Sequence, residues 1–406
     1  KVLDDHFRSR SSTLGPAAAR VAERRRDLEA VRGTPVPVMR ELAGERRRTT
    51  RVLHKGNYLA PGEAVDPVVP AAFHGWPEGA PRNRAGLAAW LTHPDNPLTA
   101  RVAVNRLWSQ VMGQGLVETE EDFGTQGTLP THREMLDWLA VSFASPAAES
   151  RPGAPALGWD LKALLKLMVT SATYLQASTV SPRAREIDPL NRLYSRAARR
   201  RLEAEAVRDQ ALALSGLLSR RVGGPSVYPW QPEGLWRAAF NGERTWATSE
   251  GEQRYRRGLY TFLRRTVPYP SMATFDAPSR EQCTLRRQPT NTPLQAFVTL
   301  NDPVFVEAAQ ALGRRLLAEG GATVASRLRF GLRLVTGRTP SAAQVESLQR
   351  LYEAELQGYR AREAEAVRLA TEPLGPPPPG VSPAEAAAWT TIGNVLLNLD
   401  AVLTRG

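Results

Sequence analysis

Between residues 259 and 301 the chain reads LYTFLRRTVPYPSMATFDAPSREQCTLRRQPTNTPLQAFVTLN. It gathers two arginine pairs, Arg264/Arg265 and Arg286/Arg287, with Asp276, Arg280, the single cysteine Cys283, and the amides of Asn291, Gln295 and Asn301. A guanidinium presents forked donors that match the two oxygens of a carboxylate or sulfate. Thr292-Pro293 marks a helix start, whose free N–H groups and positive dipole end would draw the same kind of ligand. Asp276, Arg280, Arg286, Arg287, Asn291, Thr292 and Gln295 are therefore the candidate anion-binding residues. The competing reading is structural: the arginines pair with Asp276, Glu281 or backbone carbonyls and lock the loop onto the body, and the sequence leans slightly towards that lock. Cys283 lies beside cations that would lower a thiol's pKa, yet a lone cysteine is expected to be a small buried hydrophobe.

Other chemistries find less support. There is no GxSxG for a serine nucleophile, and GGPS at 223–226 lacks the later glycine and the lysine of a phosphate-cradling loop. Carboxylate pairs such as Asp276 with Glu281, or Glu203 with Asp209, are of a kind that any helical protein offers. The five histidines (His6, His54, His74, His93, His132) are scattered with no i, i+4 pair, so no metal site is expected. A single cysteine rules out an internal disulfide framework and a CxxCH haem attachment, so no cofactor is expected in this chain. The net charge of +12 invites a nucleic-acid reading. However, only Lys1, Lys55, Lys162 and Lys166 are lysines, and the arginines are spread along the chain. The one local cluster, Arg46 to Arg48 with Arg51, lacks the interleaved aromatics that would stack bases and reads as a solvated face.

A chain of 406 residues, 42% hydrophobic and 23% charged, can bury a sizeable core and usually forms two or more domains. No apolar run is long enough to suggest a membrane span. The elements that must position the candidate site are mostly helical. Residues 16–32 read as a charged connector helix ended by Gly33, and 34–82 as an extended Pro/Gly-rich arm. Leu98, Val102, Trp108 and Met112 form one stripe and Val104, Leu107 and Val111 another, which predicts a central helix with Asn105 as a satisfied buried amide. Thr131 and Glu134 suggest a capping box, with His132 at the surface. Asp160 caps a helix carrying Leu161, Leu164, Leu165, Met168 and Leu175, and another runs over about 201–218. The tryptophans of 222–248 (Trp230, Trp236, Trp246) read as core, and 258–266 as a short strand. Asp302-Pro303 starts a helix, 323–335 forms one ended by Gly337, and Ser341 with Gln344 opens a long one to about Ala370. After the GPPPPG stretch, Ser382, Pro383 and Glu385 open a last helix whose Trp389, Ile392, Val395, Leu396 and Leu399 must pack back on the body.

Several long motifs carry a likeness. HPDNPLTARVAVNRLW, GLVETEEDFGTQGTLPTHREMLDWLA, SVYPWQPEGLW, the stretch from RRGLYTFLRR to NDPVFVEAA, and GNVLLNLDAVLTR together resemble the planctomycete-specific PSD domain, domain of unknown function 1553. The likeness is close over about 82–352. It implies an exported protein, extracytoplasmic, in which this piece follows a c-type cytochrome domain and a companion domain of unknown function 1549; any c-type haem belongs to that upstream part. No catalytic residue comes with the family. The expected architecture is mainly α, a multi-helix body with a small β element and long irregular loops. It divides into a connector helix (1–33), an arm (34–81), a helical PSD-type domain (82–372), a Pro-rich linker (373–381) and a C-terminal helix (382–406). The leading expectation is a non-haem helical module that positions a partner domain or ligand. The alternative is an enzyme acting on glycans or sulfated sugars near 276–301, with or without redox chemistry, and nucleic-acid binding ranks last.

Overall fold

The computed structural model describes residues 4–405 except 5, 8–9, 13, 32–35, 43, 151–152, 154 and 237–244. Gly33, parts of the arm and of the 145–158 loop, and the centre of the 222–248 stretch lie outside the described residues. Fifteen α-helices and two two-stranded sheets are found among the described residues, so the protein is mainly α with long irregular connections. The chain falls into two compact units, 1–96 and 97–406.

The first unit holds helix α1 (Leu14–Ala30), an antiparallel hairpin of β1 (Arg51–Leu53) and β2 (Pro61–Ala64), and helix α2 (Arg84–Leu91). Asn83 caps α2, its side-chain oxygen accepting from the N–H groups of Ala85 and Gly86. Trp90, buried on α2, stacks on His74, which in turn stacks on His93.

The second unit contains two apolar cores. The smaller is built by α3 (Thr99–Met112), α4 (Arg133–Ala144) and α5 (Leu161–Val169), around Val104, Trp108, Leu139, Phe143 and Leu164. Asn105 is fully buried there and satisfied: its amide nitrogen donates to Val117 O at 3.0 Å and its oxygen accepts from Val117 N at 2.9 Å. A short helix α6 (Pro182–Ile187) follows.

The larger core involves α7 (Ala204–Ser215), α8 (Pro270–Thr274), α9 (Pro293–Asn301), α10 (Pro303–Glu319), α11 (Val324–Thr336), α12 (Ala342–Ala361), α13 (Glu363–Thr371), α14 (Pro383–Leu397) and α15 (Asp400–Leu403). Its axis is the α10–α14 pair, where two glycines let the backbones meet. A Cβ on Gly393 would fall 2.4 Å from Ala309 O, and one on Gly313 would fall 2.8 Å from the Trp389 carbonyl. Trp389, fully buried, fills the space against Tyr352. Arg314 holds the 370–375 segment by donating to the carbonyls of Ala370, Leu374 and Gly375. The chain end returns as β4 (Thr404–Arg405), antiparallel to β3 (Arg200–Arg201).

Several local expectations change. The 258–266 stretch is a 3-10 turn (Gly258–Tyr260) followed by an isolated bridge of Thr261 to Val227, because no neighbouring strand extends the ladder. Thr131 donates to Leu116 O instead of capping α4, which starts after His132. His132 is half-buried against Tyr194. Leu175 lies past the end of α5 and is exposed. The helix expected over 201–218 spans only 204–215, and the long one expected to Ala370 breaks at Arg362. Of the three tryptophans, Trp236 is buried and Trp246 packs against the core, whereas Trp230 is partly exposed.

Candidate functional site

The segment from α8 to α9 is held by polar side chains. After α8 the chain reverses at Asp276, which adopts a left-handed conformation (φ 61°). This conformation is uncommon for a residue with a Cβ and persists where surroundings enforce it. The enforcement is visible: the Asp276 carboxylate accepts from Thr290 N at 2.7 Å and from Thr290 Oγ1 at 2.9 Å, closing the loop from 276 to 290. Gln295, on the first turns of α9 and 1% exposed, reaches into the same knot. Its Nε2 lies 3.1 Å from Thr274 O, 3.2 Å from Thr290 Oγ1 and 3.3 Å from Asp276 Oδ2, while its Oε1 accepts from Arg201 Nε at 3.0 Å. One turn later Thr299, 3% exposed, bonds Asn398 at the end of α14.

Arg287 forms the second clasp. Its two terminal nitrogens donate to the two oxygens of Glu205 at 2.6 and 3.0 Å, and Glu203 stands 3.2 Å away. Burial would raise the Glu205 carboxyl, but the Arg287 hydrogen bonds and charge outweigh it and hold the group below its ordinary value. The same hydrogen bonds raise Arg287, against burial.

The seven candidate residues therefore separate. Asp276, Gln295 and Arg287 are spent on internal partners, Thr292 starts α9 without a side-chain cap bond, and Arg280, Arg286 and Asn291 are exposed. Arg280, itself at φ 66°, contributes charge near Glu205, while no hydrogen bond or ion pair engages Arg286 or Asn291 among the described residues. Cys283 is exposed and free, contrary to the expectation of burial, because it sits in an irregular loop whose residues 279–286 are all exposed. Thr290, Arg201 and Glu205, which complete the two clasps, were not among the sequence candidates. Only Glu203 and Glu205 beside an α7 start gave a signal, since acidic residues favour a helix's first turn.

Apart from Val298, which packs on the core, the polarity of α9 is inverted. Gln295 and Thr299 face the body, whereas Leu294 (67% exposed), Phe297 (63%) and Leu300 face outward at i, i+3, i+6, with Leu285 of the loop also exposed. A surface helix ordinarily buries its apolar stripe, and contiguous exposed apolar groups rimmed by polar ones mark interaction surfaces. Arg280, Arg286 and Asn291 are among the exposed polar residues of the adjoining loop.

A further polar network lies behind the segment, between α7 and α10. Glu307 accepts from Arg254 at 2.9 Å and from the Tyr255 hydroxyl at 2.7 Å, and buried Arg208 donates to Arg254 O at 2.7 Å. Burial, with the Glu307 hydrogen bond and charge, pushes the Tyr255 hydroxyl up to about 12. Burial also raises Asp302, although Ser271 and Val304 N donate to its carboxylate. These bonds tie α7, α10 and the 251–255 turn together, although the buried Arg208 Nε has no hydrogen-bond partner among the described residues. Among the described residues no cluster of three or more His, Cys, Asp or Glu side chains could hold a metal ion. No helix among them is long and apolar enough to cross a membrane.

Fold and site together define a helical module whose dense polar segment is clasped from within and presents an apolar helix face outward. The chain belongs to the PSD1 family, described as protein of unknown function (DUF1553), whose model matches residues 83–352. No curated protein and no solved structure matches it.

Proposed function

We propose that this chain is a non-haem docking module of an extracytoplasmic, cytochrome-c-linked protein, and that it positions a partner domain on the outward face of α9 and the 278–292 loop. The observation that carries the reading is the inverted polarity of α9, which leaves Leu294 and Phe297 in water while Gln295 and Thr299 are buried. Such a face gains free energy only when something covers it, at about 25 cal/mol per Å² of apolar area. The partner that the family likeness suggests is the companion domain 1549 of the same full-length protein. A catalytic reading of the same segment, on glycans or sulfated sugars, has less support: Asp276 and Arg287, its best-placed acid and cation, are already engaged by Thr290, Gln295 and Glu205.

The test is titration of the isolated domain 1549 into this chain by calorimetry. Binding is expected, and Phe297→Asp should weaken it at least about tenfold while leaving the thermal melt unchanged. Absence of binding by the folded wild-type chain, or undiminished binding by the variant, would sink the reading.

A further inference from the structure

A cavity of about 230 Å³ opens beside the C-terminal end of α3, far along the chain from the α9 face. Its walls include Val111 and Met112 from α3, together with Tyr174, Gln176, Tyr194 and Arg405. It has room for several water molecules. That is enough for a small organic molecule.

Arginines line the cavity, and the acid Glu203 bears on Arg200. Cross-strand pairing in β3–β4 sets Arg405 directly opposite Arg200, a like-charge pair of the kind that destabilises a ladder. Arg200 spends its donors on the α3 terminus, at Ser109 O (3.1 Å) and Gln110 O. Arg196, the other lining cation, donates to Asp188 O and Pro189 O at 2.8 Å each. Arg405 donates only to the Tyr174 hydroxyl, with its guanidinium 5.5 Å from that ring's centre, and no carboxylate among the described residues pairs with it. The nearest acid on its own segment, Asp400, is taken by Arg199 and Thr404. Gln176 uses its nitrogen on Thr173 O and Tyr194 O, which leaves its side-chain oxygen as an acceptor.

We propose that this cavity binds a small organic acid, with its carboxylate on Arg405 and its apolar body against Val111, Met112 and Tyr174. Glu203 acts on Arg200 but no carboxylate among the described residues pairs with Arg405, so the anion supplies Arg405 with a partner, and a guanidinium takes a carboxylate two oxygens at a time. The apolar wall from α3 selects for an organic body over a bare inorganic anion.

The probe is benzoate, titrated into the 406-residue chain with ¹H–¹⁵N NMR as readout and benzamide as the neutral control. Benzoate is expected to shift the amides of Tyr174, Gln176, Ala197 and Ala198 and to bind at least about tenfold tighter than benzamide, the worth of one charge-assisted contact. Arg405→Met should abolish that preference, and Val111→Trp, which fills the mouth, should weaken both ligands, each with an unchanged melting temperature. Equal affinity for benzoate and benzamide, or benzoate binding unaffected by Arg405→Met, would overturn the proposal. So would displacement of benzoate by equimolar sulfate, which would make the site one for inorganic anions. None of these outcomes depends on the α9 face.

Discussion

The α10–α14 pair and helix α9 lie in the same unit and use their faces in opposite ways. At α10–α14 the seam between the helices is glycine-fitted and its core is largely apolar, with Trp389 fully enclosed and the backbones in contact at Gly313 and Gly393. At α9 the buried side is fixed mainly by polar groups, Gln295, Thr299 and the Asp276–Thr290 clasp, with Val298 the one apolar contact to the core among its described residues, while Leu294, Phe297 and Leu300 are in solvent. A close-packed apolar seam gains its stability from burial and is complete in itself. A hydrogen-bonded seam fixes geometry with a modest net gain per bond, about 1 kcal/mol. The contrast teaches that α9 is held in position by directional bonds so that its apolar face stays available.

Breaking the seam at its apolar end should have the largest effect. Trp389→Ala is expected to cost about 3–5 kcal/mol, as removal of large buried aromatics does, and urea unfolding would measure it. Asn105→Ala, in the smaller core, should follow at about 2–3 kcal/mol because it strands both backbone groups of Val117.

The clasp at 287 should be weaker and dependent on pH. Glu205→Gln is expected to lose about 1.5 kcal/mol near neutrality, the scale of a half-buried charged hydrogen bond. The Glu205 carboxyl is held below its ordinary 4.5 in the folded chain, so its contribution is present above that value and fades as pH falls through the folded value. Unfolding curves of wild type and variant should therefore differ at pH 7 and converge in acid. A difference that persists at low pH would mean that the clasp is not ionic.

The smallest effect on stability should come from the outward face. Phe297→Ser is expected to move stability by no more than about 0.5 kcal/mol, as exposed substitutions do, by urea unfolding. A loss comparable to that of Trp389→Ala would mean that the α9 face is part of the core, and the comparison would collapse.

Much of the helical frame is legible in the sequence because its signals are local. Asp160, Asp302, Ser341 and Ser382 each cap their helix through a bond to an N–H two or three residues on, and Gly337 ends α11 in a left-handed conformation. The buried amide of Asn105 was also readable, from its place within an apolar stripe. What failed needed a distant partner. The alternation at 258–266 suggests a strand, but a strand exists only beside another, and Val227 offers a single bridge. Thr131 resembles a cap until Leu116 O competes for its hydroxyl.

The candidate site divides along the same line. The amino-acid sequence alone determined the family, through its long motifs, and the helical class and the concentration of arginine, aspartate and amide groups at 276–295, which follow from periodicity and local order. Only the tertiary structure decided which of those groups are spent. Arg287 meets Glu205 across 82 residues and Gln295 meets Arg201 across 94, and a charged or amide side chain carries no mark of its partner until the chain brings them within hydrogen-bond reach.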